Sequence, residues 1–319
     1  MADPGEADSP GSPPAPGIGD SVPFNVPNCL TTNRVTSPDT FDTVIVAITG
    51  RSADPPRLPP GAGTVEPFAL PAPGRWADAS GRAPREAGVV LYVHGGGFSR
   101  SNPGREHLMA YHVSQAAGRP AFSVDYSLAP EHPFPVAHDE VVATYRALLA
   151  EGVPAERTVL FGESAGATLV LESLLTLRAA GVPLPGAVVP VSPLADFTLT
   201  NRSIDAPAGR DIIDREELER VVGQYLNGQR NDRAPQSPVH GDLAGLPRML
   251  LVAGADEALL DDSRNYAEAA AEAGVAVTLD VYEGMPHGFQ LAVLDPQLPV
   301  GATFLKRLSA WLDVPASRP

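Results

Sequence analysis

One stretch constrains the fold of this chain more than any other: Leu160-Phe161-Gly162-Glu163-Ser164-Ala165-Gly166-Ala167. An apolar, β-like run from Thr158 to Phe161 leads in. A Gly-x-Ser-x-Gly turn follows, and a helix-like run continues toward Ala180, with Gly181 as its stop. Strand, sharp turn and helix make the setting of a nucleophile elbow. Such a turn forces the serine into a strained backbone conformation, and a Cβ on either flanking glycine would strike the neighbouring strand or helix. Ser164 would stand clear of a sheet at a helix N-terminus, whose dipole favours developing negative charge. A plain tight turn also satisfies the motif, so the rest of the chain decides.

At 319 residues the chain is long enough for one large α/β domain with an accessory part, or for two small domains. Lys and Arg number 23 against 38 Asp and Glu, a net charge of −15, which argues against nucleic acid or an anionic membrane as partner. The single cysteine, Cys29, excludes an intramolecular disulfide and a cysteine-rich metal site. Residues 1–20 have neither the basic start nor the apolar stretch of a signal peptide, and no 18-residue apolar run exists. A soluble, cytoplasmic protein without a membrane span is therefore expected.

Residues 1–25, rich in Pro, Gly, Ser and Asp, read as a disordered tail. Residues 38–50 hold an apolar segment that fits either a short helix begun by Ser37 or Asp39, or a strand. A Pro-rich connector over 51–63 leads to a strand at Val65–Leu70. From residue 88 the pattern becomes regular. Strands are expected at Val89–Val93, Ala121–Tyr126, Thr158–Phe161, Ala187–Val191, Met249–Ala253 and Val275–Tyr282, separated by helical patterns such as Glu106–Ala117 and Asp262–Ala273. This alternation implies a parallel sheet covered on both faces. It breaks over 196–238, where Ile212, Ile213, Leu218, Val221, Val222, Tyr225 and Leu226 fit one helix face and Asp214 with Glu217 resembles a capping box. That insertion, with an N-terminal segment over 26–62, reads as a cap above the carboxyl ends of the strands, where open α/β sheets bind ligands. Residues 63–319 form the main domain.

A serine is a weak nucleophile until a base and an oriented third group act on it. Of seven histidines, His287 is the best base, because Gly284-Met285-Pro286-His287-Gly288-Phe289 follows the final strand. The acid belongs in the loop after Met249–Ala253, where Asp256 and Glu257 compete; Asp261 and Asp262 fit the first turn of a helix. His94-Gly95-Gly96-Gly97 directly follows a strand, and its glycines let backbone amides bend toward the elbow. Gly96 and Gly97 N–H would join that of Ala165 in holding an oxyanion.

These residues, together with Tyr126-Ser127-Leu128-Ala129-Pro130-Glu131-His132-Pro133-Phe134-Pro135, resemble the hormone-sensitive-lipase-like branch of the α/β-hydrolase superfamily, over about 88–313. The resemblance implies an α/β-hydrolase fold: a mostly parallel eight-stranded sheet with helices on both faces and a helical cap. It implies carboxylic-ester hydrolysis on short to medium acyl chains, a small-molecule ester as partner and no cofactor or metal, and it allows a homodimer. It brings His94, Gly95 and Glu131 in as supports of the site. Two features depart from the branch: Glu163 stands where Asp or Thr is usual, and the acid loop lacks Asp-Pro-Leu. Counting back from His287 with the family's spacing favours Glu257, and alignment from Gly254 gives Asp256. The same residues would serve a deacylase or lactonase specific to one metabolite, or a hydrolase-fold cyclase or dehydratase. An inactive binding module is the reading outside enzymology.

Overall fold

The computed structural model describes Met1 and residues 29–49, 58, 68, 70–205 and 211–313. The expected tail, the Pro-rich connector and the Val65–Leu70 strand lie outside the described residues, apart from single positions within them.

In chain order the elements are β1 (Leu30–Val35), α1 (Phe41–Thr49), β2 (Gly74–Ala77), α2 (Pro84–Ala87), β3 (Val90–Val93), α3 (Pro103–Ala117), β4 (Ala121–Val124), α4 (Val136–Ala150), β5 (Val159–Glu163), α5 (Ala165–Ala179), β6 (Ala187–Val191), α6 (Arg215–Leu226), β7 (Met249–Gly254), α7 (Leu260–Glu272), β8 (Val277–Tyr282) and α8 (Pro299–Asp313). The strands form one eight-stranded sheet in the order β1-β8-β7-β6-β5-β3-β4-β2, in which β2 is antiparallel to β4 and the remaining pairs are parallel.

Central strands of such a sheet are covered on both faces, so they read as apolar runs rather than alternating ones. Val90-Leu91-Tyr92-Val93 is buried throughout. Leu91 and Val93 face a core shared with α4, α5 and α7, while Val90 and Tyr92 face one shared with α3 and α8.

Register places the loops. Val93 pairs with Gly162, so the loop after β3 starts beside the end of β5. Gly254 pairs with Tyr282, so the loops leaving β7 and β8 are neighbours.

Two features differ from the sequence reading. Leu30–Val35, assigned to the N-terminal cap segment, is instead a sheet strand that pairs with β8 over six residues. Its polar sequence hides this, because an edge strand needs only backbone groups to satisfy the row that β8 would otherwise expose. Asn33 adds a bond to Asp280 at 2.6 Å. The apolar segment over 38–50 resolves to a helix, α1; Asp39 does not start it but accepts the Val300 N–H at the head of α8.

Candidate active site

β5 ends at Glu163, and Ser164 opens α5 with φ 51° and ψ −119°. A non-glycine residue at positive φ costs about 1–3 kcal/mol and persists only where the surroundings enforce it. The flanking glycines show how. A Cβ on Gly162 would lie 2.3 Å from Gly166 O, and one on Gly166 would lie 2.1 Å from Val93 O. Both obstacles are backbone atoms that side-chain rotation cannot clear. Gly166→Ala is accordingly expected to destabilise the fold by at least about 3 kcal/mol, the upper range for overpacking a core, seen as a lowered midpoint in urea unfolding; an unchanged midpoint would contradict the elbow's sterics.

The turn aims Ser164 Oγ at His287 Nε2, 2.9 Å away. The opposite ring nitrogen, Nδ1, lies 3.9 Å from Glu257 Oε2. Glu257 Oε2 accepts the Ser192 hydroxyl at 2.7 Å and the Gly254 N–H at 3.1 Å. Asp256, the competing acid, is half-buried, and its N–H donates to Met285 O. Of the two neighbouring carboxylates, only Glu257 faces the imidazole.

Burial pushes the Glu257 carboxyl up to about 8, against the bonds from Ser192 and Gly254 that favour its anion. Burial also lowers the His287 imidazole, against the attraction of Asp211. Both shifts penalise an isolated charge. Burial therefore holds both groups toward their neutral forms.

The glycine loop after β3 crosses in front of the serine. Gly96 and Gly97 have φ of 116° and 59°, values open to glycine. Among the described residues, the N–H groups of Gly96, Gly97 and Ala165 have no hydrogen-bond acceptor. A Cβ on Gly95 would sit 3.2 Å from Ser164 Cβ, so that position must stay bare for the loop to approach. His94 is buried, donates from Nδ1 to Gly95 O at 2.7 Å and stacks on Tyr126 with ring centres 4.1 Å apart. It braces the loop from behind.

Glu131, read as a support, is exposed on the turn before α4 and outside the cavity lining. That turn is anchored through other groups: Glu140 holds Ser127 by two bonds of 2.6 and 2.7 Å. The unusual Glu163 is buried, with the Gln290 amide 3.4 Å from Oε2, and burial raises its carboxyl to about 7.

Some residues of the site escaped the sequence reading. Ser192 carries positive φ and bonds Glu257. Asp262 stands in the first turn of α7 as expected, yet its carboxylate accepts the Ala195 and Asp196 N–H groups at 2.9 Å each and the Asn201 amide, tying the start of the insertion to the sheet. Asp211, inside the insertion, bonds backbone groups of both the Glu257 and His287 loops. A lone aspartate in a polar loop carries no local signal of such reach.

The insertion packs on the site. Asp214 caps α6 by accepting the Glu217 N–H at 2.9 Å, and the Glu217 carboxylate bonds Arg100 and Arg220 instead of closing a capping box. A Cβ on Gly97 would meet Val221 at 2.9 Å, and Tyr225 stacks on Phe98. Between α6 and the loops lies a cavity of about 230 Å³ that contains Ser164 and His287 in its walls. Leu194, Ile212, Ile213, Leu218, Val221 and Leu259 line it on the apolar side. Among the described residues no helix is long and apolar enough to cross a membrane.

Comparison with known proteins shows the family. A family profile described as the α/β hydrolase fold matches residues 90–291. An acetyl-hydrolase of Streptomyces hygroscopicus is 37% identical over 231 residues, covering 72% of this chain and 77% of that protein. The crystal structure of an esterase from the bacterial hormone-sensitive lipase family superposes with a TM-score of 0.73 at 37% identity, over 77% of this chain and 82% of that one. A hormone-sensitive lipase from a metagenome library gives a TM-score of 0.74 at 33% identity, over 82% and 89% of the two chains.

Proposed function

The chain belongs to the α/β-hydrolase family, in its hormone-sensitive-lipase-like branch, and hydrolyses esters; we propose that it does so on short to medium acyl carboxylic esters, through Ser164, His287 and Glu257. The 2.9 Å contact between Ser164 Oγ and His287 Nε2, with Glu257 behind the ring, is the observation that carries this reading.

Ser164 Oγ attacks the ester carbonyl carbon while its proton passes to His287 Nε2. The carbonyl oxygen becomes an oxyanion held by the Gly96, Gly97 and Ala165 amides, with the N-terminus of α5 adding favourable dipole. The imidazolium is balanced by Glu257. As the tetrahedral adduct collapses, His287 returns the proton to the departing alkoxide, and the alcohol leaves an acyl-Ser164. Water then adds to that acyl group with His287 again taking a proton, and the carboxylic acid leaves as Ser164 regains its own. The apolar cavity wall and modest volume support short to medium acyl chains.

A panel of p-nitrophenyl esters from acetate to palmitate, read across pH, tests this. Turnover is expected to peak at acetate to hexanoate. Only neutral His287 can accept the serine proton, and burial disfavours its protonated form. The acid limb of kcat/KM is therefore expected below 6.5, the ordinary histidine value, so that activity persists until pH falls through the lowered pKa. The acidic groups near the ring are Glu257 and Asp211. Negligible rates on every ester, with a serine that still reacts with a fluorophosphonate, would replace the broad reading with hydrolysis of one specific metabolite.

A further inference from the structure

Asp211 lies just before α6 and is half-buried. Oδ2 accepts the N–H of Ala258, the residue after Glu257, at 2.7 Å. Oδ1 accepts the N–H of His287 itself at 2.8 Å and that of Ile212 at 2.7 Å. The first two bonds span 47 and 76 positions of sequence. One carboxylate thus joins the two loops whose separation sets how His287 meets Glu257. It is not the cap of α6, because Asp214 fills that place.

We infer that Asp211 is a positioning residue for hydrolysis: from the cap it clamps the Glu257 and His287 loops together and sets a fixed negative charge beside the imidazole. The inference rests on the reading that Ser164, His287 and Glu257 carry the reaction.

Two physical roles combine in this group. The first is geometric. The loops are also joined by Asp256 N–H to Met285 O, nearer the strands, so the clamp governs only the outer part where the imidazole is held. An imidazole free to rotate away from Ser164 loses the alignment on which proton transfer depends. The second role is electrostatic. The groups facing His287 are Ser164 from the elbow, Glu257 from the loop after β7 and Asp211 from the cap. Burial raises the Glu257 carboxyl, and the Asp211 carboxylate, held on the His287 N–H, attracts the protonated imidazole. The same segment reaches the oxyanion loop through Glu217 and Arg100. Seating of the cap and assembly of the site are therefore one event.

Asp211→Asn and Asp211→Glu, made in the full chain, test the inference. Asparagine removes the charge and turns an NH2 toward either the Ala258 N–H or the N–H groups of His287 and Ile212. Glutamate keeps the charge and lengthens the arm. The readouts are kcat and KM for p-nitrophenyl butyrate per burst-titrated site, the pH profile, and the titration of His287 by NMR. Asp211→Asn is expected to lower kcat about tenfold to hundredfold with KM little changed. It is also expected to move both the acid limb and the His287 titration to lower pH. Asp211→Glu should lose less kcat and leave the acid limb where the wild type has it. Unchanged kcat per site, or a loss with the acid limb and the His287 titration unmoved, overturns the inference. If Ser164→Ala retained turnover, the hydrolytic reading would fall instead, and the NMR titration would still judge Asp211 independently of activity.

Discussion

Ser164→Ala is expected to reduce p-nitrophenyl butyrate turnover by five to six orders of magnitude, roughly the cost of losing the nucleophile where a serine, a histidine and an acid act as one unit. The size follows from the division of labour. Without Oγ no acyl-enzyme forms, and the neighbouring histidine has no proton to take. What remains is substrate binding and amide donors, which alone give a small residual acceleration. Folding should be spared. Among the described residues the Oγ bonds only to His287 Nε2, while the backbone bonds of the elbow, Ser164 N–H to Val191 O and Thr168 N–H to Ser164 O, do not depend on the side chain. Alanine also meets no more resistance at φ 51° than serine does. The variant should unfold at the wild-type urea midpoint and lose fluorophosphonate labelling. Turnover within tenfold of wild type would remove Ser164 from the chemistry.

Glu257→Gln carries the second large expectation, a fall in kcat of about ten-thousandfold, against a change within about twofold for Asp256→Asn. Glutamine has the shape of glutamate and keeps an oxygen for the Ser192 hydroxyl and the Gly254 N–H. With that oxygen kept where Oε2 stands, it cannot carry the charge that balances the imidazolium. Nor does its burial cost more than that of the carboxyl it replaces, which already resists ionisation. Asp256, one position away, is half-buried and contributes a backbone N–H that the substitution leaves in place. Kinetics of the two purified variants decide the point. A loss carried by Asp256→Asn would reverse the assignment.

The family's fold and the outline of its site are legible in this sequence because their requirements are local. An elbow needs glycines on both sides of a serine, since a Cβ there strikes backbone at 2.1–2.3 Å. A loop that offers amides needs residues able to take positive φ, and His94-Gly95-Gly96-Gly97 supplies them. Buried parallel strands need unbroken apolar runs, and those runs mark the central strands.

Glu131 shows where such reading stops. Its place in the Tyr126–Pro135 stretch suggested a support, but whether a loop carboxylate faces in or out depends on what packs against the loop, and here Glu140 took that work. The strand Leu30–Val35 was hidden for a related reason: its partner, β8, lies some 247 positions away, as the Asn33–Asp280 bond records, and backbone pairing leaves no mark on side-chain pattern.

By itself, then, the sequence singled out Ser164, His287 and the glycine loop as candidates and determined the alternating strands and helices that carry them, because short-range sterics and periodicity mark each one. Only the tertiary structure set Glu257, rather than Asp256, behind the His287 ring and brought Asp211, Ser192 and Asp262 into its surroundings. Those choices depend on strand register and on side-chain direction across separations of 47 to 76 residues, where neighbours in space share no local chemistry in the chain.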